Sequence, residues 1–155
     1  MTFLTDLTHN IIFMSAITGW FVAQVLKTII HIIVNKQFVA ERLVGGGGMP
    51  SSHSATVCAL ATATGIRYGG GSFEFALAAV FAIVVMYDAM GVRQETGKQG
   101  KVLNEMMEIF TQMGKNIDAE KALKELVGHT PLQVLMGAIL GIIIAIGMCN
   151  MQFFT

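Results

Sequence analysis

Lys27, Ser51, Ser52, His53, Asp88, Arg93, His129 and Gln133 are the residues of this chain whose types and settings suit chemistry. A lysine and an arginine can hold a charged oxyanion, and serines and backbone amides can donate hydrogen bonds to it. A histidine can attack, protonate or deprotonate at neutral pH. Such a set suits a phosphate group. His53 lies in the stretch from Gly45 to Ala55, GGGGMPSSHSA, between two strongly apolar runs. Its glycines let backbone approach a ligand closely. Ser51 or Ser52 can cap a following helix, leaving the helix's first N–H groups to bind an anion. His129 has a similar setting: Thr130 suits an N-cap and Pro131 the first helical position. With Thr130, Gln133 forms Thr-x-x-Gln, the pattern of a capping box.

The elements that must position these residues are apolar helices. The chain has 155 residues, enough for a single domain over 1–155. It is 54% hydrophobic and 13% charged, with a mean hydropathy of +0.63. Soluble domains carry about 25% charged residues, so the composition is that of a membrane protein. A formal net charge of zero argues against a nucleic-acid partner, which needs a basic surplus. Cys58 and Cys149 fall inside apolar runs and read as buried thiols. The N-terminus has no basic region before its first apolar run, so no cleaved signal peptide is expected.

Four segments are long enough to cross a bilayer as helices, which takes about 20 residues: 11–34, 51–68, 73–92 and 131–153. Gly137, Gly141 and Ala145 make a small-residue ridge on the last, suited to helix packing. The polar stretch from Arg93 to Gly128 does not cross. Its Val102, Leu103, Met106, Met107, Phe110 and Met113 recur at helical spacing. That pattern predicts an amphipathic helix on the membrane surface or capping the bundle. A second short helix is expected from Asp118 to Gly128. The fold class is therefore all-α: a multi-pass bundle of four transmembrane helices with a cytoplasmic amphipathic segment.

With four crossings, the first and third connections share one side. They carry Lys36, Arg42, Arg93, Lys98, Lys101, Lys115, Lys121 and Lys124, against Arg67 on the other. The basic excess marks that side as cytoplasmic. Each crossing brings an ionisable group to the same face: Lys27 late in the first, His53 opening the second, Asp88 and Arg93 closing the third, His129 before the fourth. Ionisable groups at membrane depth are costly and mark functional sites by default. His31 shares a stripe with Lys27 but reads as a bundle-facing polar residue, and His9 as a surface one.

The strings GGMPSSHSA, YDAMGVRQ and ELVGHTPLQVLMGAILGI resemble the divergent type-2 phosphatidic acid phosphatase (PAP2) family, related to acid phosphatases and vanadium-dependent haloperoxidases. The resemblance implies a helical membrane phosphatase that forms a covalent phosphohistidine and uses no metal or other cofactor. It further implies that Lys27 binds phosphate, that Pro50-Ser51-Ser52-His53 supplies the general acid in His53, and that His129 is the nucleophile. Arg93 stands in for a phosphate-binding arginine, although the usual pattern keeps that arginine much nearer the nucleophile. The carboxylate expected four residues after the nucleophile is Gln133 here, and Asp88 is the candidate to replace it. The expected function is hydrolysis of a lipid phosphomonoester or pyrophosphate on the cytoplasmic side. Lys27, Ser51, Ser52, Arg93 and Gln133 would lie at the substrate, with His53, His129 and Asp88 catalytic. The alternative is a non-catalytic protein that binds or transports an anionic lipid. The expected partners are the bilayer, the lipid phosphate and, for so small a bundle, a second copy in a homodimer.

Overall fold

Asn10 divides the first apolar run. Its side-chain oxygen accepts hydrogen bonds from the N–H groups of Ile12 and Phe13, at 3.1 and 3.2 Å. It thereby caps α2 (Ile11–Asn35) and sets off a short α1 (Phe3–His9), which the periodicity of the sequence did not announce. The structure is a computed structural model and describes residues 3–36, 48–113 and 129–153. Arg42, Lys115, Lys121, Lys124 and the short helix expected from Asp118 to Gly128 lie outside the described residues.

The remaining described elements are α3 (Ser52–Tyr68), α4 (Phe73–Met90), α5 (Val92–Gln112) and α6 (Pro131–Phe153). Serine hydroxyls cap two of them. Ser51 accepts from the Ser54 N–H ahead of α3, and Ser72 from the Phe75 N–H ahead of α4. Gly69, at φ +86°, ends α3 in a backbone region that other residues avoid.

α3 lies among α2, α4 and α6. Gly19 of α2 faces Ala55 and Ala59, while Lys27, further along α2, reaches back to Ser52, so these two helices are antiparallel. Cys58 against Met86 and Gly65 against Phe75 make α3 and α4 antiparallel too. α6 runs parallel to α3, since Gly137 meets Ser51 and Gly141 meets Ala55.

The contacts between these helices are made by small residues. Ala59, Ala63, Ala145 and Cys149 form a buried cluster, with Ile11 and Ile12 packed against it. The large side chains, such as Ile33, Phe81, Ile83 and Ile143, face outward. That distribution suits a lipid surround, where close backbone packing rather than burial of bulky groups associates helices. The ridge of Gly137, Gly141 and Ala145 is such an interface. A Cβ on Gly137 would collide with the Ser51 carbonyl oxygen, and one on Gly141 with that of Ala55.

Among the described residues, three helices are long and apolar enough to cross a membrane: α2, α4 and residues Pro131–Met151 of α6. α3, counted from the sequence as the second of four crossings, has 17 residues and is rich in Ser, Thr and Ala. Neighbouring helices cover it, which is why it need not be as apolar as they are. α5 is amphipathic and, among the described residues, packs mainly on α4. Val102, Leu103, Met106, Phe110 and Met113 of its stripe are exposed, and Met107 is half-buried.

Candidate active site at two adjoining helix N-termini

Because α3 and α6 are parallel and their backbones touch, they begin side by side. The Ser51 N–H donates to the Gln133 carbonyl at 3.0 Å, joining the entry of one helix to the first turn of the other. Each N-terminus carries a partial positive charge and unsatisfied N–H groups. Two such ends together repel one another, and an anion between them relieves the repulsion.

α2 brings Lys27 to this point. The residue is 2% exposed, its ammonium donates to the Gln24 side-chain oxygen at 2.7 Å, and it reaches the Ser52 hydroxyl at 3.5 Å. Gly48 passes against the lysine stem at φ +101°, where an added Cβ would lie 3.1 Å from the Lys27 Cγ. Here both the backbone angle and the space call for glycine. Ser51 and Ser52 are buried beside it.

The two histidines complete the cluster. His53 is in the first turn of α3 and half-buried; His129 precedes α6 and is 2% exposed. Their ring centroids are 5.6 Å apart at an interplanar angle of 63°. The His129 N–H donates to the Ala89 carbonyl at 3.1 Å, anchoring the entry of α6 to the end of α4. Its Nδ1 lies 3.2 Å from the Gln133 side-chain oxygen, which also accepts from the Thr130 N–H at 3.1 Å. The Thr130 hydroxyl accepts in turn from the Gln133 N–H at 3.4 Å. Gln133 is thus the capping-box residue its spacing suggested and, through the same oxygen, a partner of His129.

The structure therefore brings together Lys27, Ser51, Ser52, His53, His129 and Gln133. It does not bring Asp88. That side chain is exposed at the end of α4, and among the described residues no hydrogen bond or ion pair joins it to either histidine. Its neighbour Ala89 meets His129 through the backbone alone, carbonyl to N–H. Arg93 lies in the first turn of α5, and its side chain is outside the described residues. Among the described residues no three His, Cys, Asp or Glu side chains converge as a metal site would require. His31 pairs with Asn35 at 2.9 Å and His9 with the Thr5 carbonyl at 2.8 Å; neither joins the cluster.

Two contributors escaped the sequence reading. The Ala89 carbonyl acts through its backbone, which carries no residue-type signal. Gly137 and Gly141 were legible as packing positions, but not as the residues that set two helix N-termini beside each other.

A family model described as "Divergent PAP2 family" matches residues 8–144. A protein of Bacillus subtilis (strain 168), named as the uncharacterized membrane protein YuiD, is 35% identical over 150 residues, covering 91% of this chain and 95% of that one. No solved structure matches the chain.

Proposed function

This chain belongs to the divergent PAP2 family, and on that premise we propose that it is an integral membrane phosphatase. Its substrates are lipid phosphomonoesters or pyrophosphates, and its intermediate is a phosphohistidine. The observation that carries this reading is the meeting of His53, His129 and Lys27 at two adjoining helix N-termini.

The phosphoryl group sits at the helix ends, its equatorial oxygens held by Lys27 and by N–H groups near Ser51 and Ser52. His129 attacks phosphorus through Nε2, since Nδ1 is turned to Gln133. The P–N bond forms as the bond to the leaving oxygen breaks, and His53 gives that oxygen its proton. Water then attacks phosphorus, His53 takes the water's proton, and the P–N bond breaks to release phosphate. The rings meet edge to face, so the phosphoryl group enters by displacing the half-buried His53 outward. His129, buried and tied at its N–H and Nδ1, keeps its place.

α3 serves as the fourth crossing, enclosed by the three apolar helices. The site then faces the cytoplasm, on the side of Lys98 and Lys101. The exposed stripe of α5 lies along that membrane surface, and the lipid chain stays between helices while its head group reaches the site.

The test is phosphate release by the purified protein, with EDTA present, from phosphatidate, phosphatidylglycerophosphate and prenyl pyrophosphates. Wild type should release phosphate from at least one, and H129A should not. A second reading, binding or transport of an anionic lipid without hydrolysis, draws on the neutral Gln133 and the exposure of Asp88. Retained lipid binding by both proteins with no release would establish it instead.

A further inference from the structure

His31 is a polar residue that the reacting cluster leaves unused. It follows Lys27 by four residues on α2, so the two share a face and His31 stands about 6 Å further along the axis. Burial falls off along this face: Lys27 is 2% exposed, His31 half-buried and Asn35 exposed. The adjoining Ile30, Ile32, Ile33 and Val34 are exposed and apolar, so this turn of α2 stands against lipid. A histidine at such a place is costly and marks a functional position.

Its hydrogen bonds fix what the ring presents. A side-chain amide can be turned two ways, but a carbonyl only accepts, so the Asn35 group facing the His31 carbonyl at 3.2 Å is the NH2. The same nitrogen lies 2.9 Å from His31 Nδ1, which therefore accepts. The proton of the neutral ring is then on Nε2. His31 thus offers an N–H donor at Nε2 whether the ring is neutral or charged, which is what an anion needs.

We infer that His31 is a substrate-binding residue whose Nε2–H holds a second phosphate, one turn of α2 outward from the phosphoryl group held by Lys27. The inference rests on the phosphatase reading and names the substrate class within it: a lipid whose phosphodiester and terminal phosphate are joined through a glycerol. The phosphodiester of such a lipid stays at head-group level, beside His31, and the glycerol lets the terminal phosphate dip to the buried Lys27. In a pyrophosphate the single shared oxygen holds the two phosphates closer together than one helical turn, about 5.4 Å. Phosphatidate has no second phosphate for His31 to hold.

The experiment compares phosphate release from phosphatidylglycerophosphate and from phosphatidate by the full-length protein in mixed micelles, with EDTA present. Wild type should have the higher kcat/KM on phosphatidylglycerophosphate. In H31A the ratio of the two kcat/KM values should fall by about 10-fold, the low end for a hydrogen bond to a charged group, mainly through KM. A role in holding α2 together would instead lower both values alike and leave the ratio in place. If H31A cannot be purified, H31L, which suits a lipid-facing turn, is read in the same way. A preference of wild type for phosphatidate, or a ratio unchanged by the substitution, overturns the inference. If wild type releases phosphate from neither lipid, the phosphatase reading fails, and retention of the two labelled lipids by the solubilised protein decides for His31. Weaker retention of phosphatidylglycerophosphate alone by the variant upholds the second-phosphate site, and equal retention overturns it.

Discussion

His129 and His53 occupy different depths, and that difference suits different work. A nucleophile must be held against phosphorus in a fixed direction, which the buried His129 satisfies through its N–H on Ala89 and its Nδ1 on Gln133. A general acid must reach a leaving oxygen that varies with the substrate, and the half-buried His53 is placed to move. The two roles respond differently to the leaving group. Removing a general acid costs about 10²–10⁴-fold where the leaving oxygen needs a proton, and little where it departs as a stable anion. H53A should therefore fail to form phosphohistidine from an alkyl phosphate but still form it from an aryl phosphate such as p-nitrophenyl phosphate, with a burst of p-nitrophenol and slow release of phosphate because the base for the water is also gone. H129A should form phosphohistidine from neither. Equal losses of H53A on the two substrates, measured as phosphohistidine formation, would refute the assignment of His53 as the acid.

The pairing of α3 with α6 is where packing and chemistry meet. Gly137 and Gly141 remove the side chains that would hold the backbones apart, and this closeness lets the Ser51 N–H reach the Gln133 carbonyl. G137A should cost roughly 1–3 kcal/mol, the usual cost of overpacking, and should lower activity by widening the gap between the two N-termini. Gly147 lies on the same helix with nothing within 4 Å of an added Cβ. G147A should be neutral or stabilise by about 0.5–1 kcal/mol through helix propensity alone. Thermal denaturation in detergent of the two variants, side by side, checks the pair. Equal stability would mean that α3 and α6 are not in backbone contact.

At the scale of the molecule, the crossing of α3 decides the topology. Four crossings put α1 and the end of α6 on one side and the turn at Gly91 on the other, together with the site. With only three crossings, α1 and the end of α6 would lie on opposite faces. Single cysteines at Thr5 and Gly70, in a background with Cys58 and Cys149 replaced by alanine, distinguish these cases in intact cells. A membrane-impermeant thiol reagent should label both positions, since α2 and α3 together return the chain to the side it started from. Labelling of only one would place the two positions on opposite sides and remove α3 as a crossing.

The sequence by itself determined the apolar helices and their ends, because the 20-residue hydrophobic length and the capping residues are local properties. The expected run 73–92 became Phe73–Met90 and 131–153 became Pro131–Phe153, with Thr130 and Gln133 forming the capping box their spacing described. It also marked Lys27, His53 and His129, since polar groups in so oily a chain stand out without any knowledge of contacts. α1, the enclosure of α3, the outward position of Asp88 and the Ala89 anchor were decided only in three dimensions. Which side chain of α4 faces its neighbours depends on the rotation of that helix, and residues one apart lie about 100° around a helix with 3.6 residues per turn, so Ala89 is buried while Asp88 is exposed. Composition fixes what a helix can offer; the packing of Gly137 and Gly141 against α3 fixed which offer was taken up.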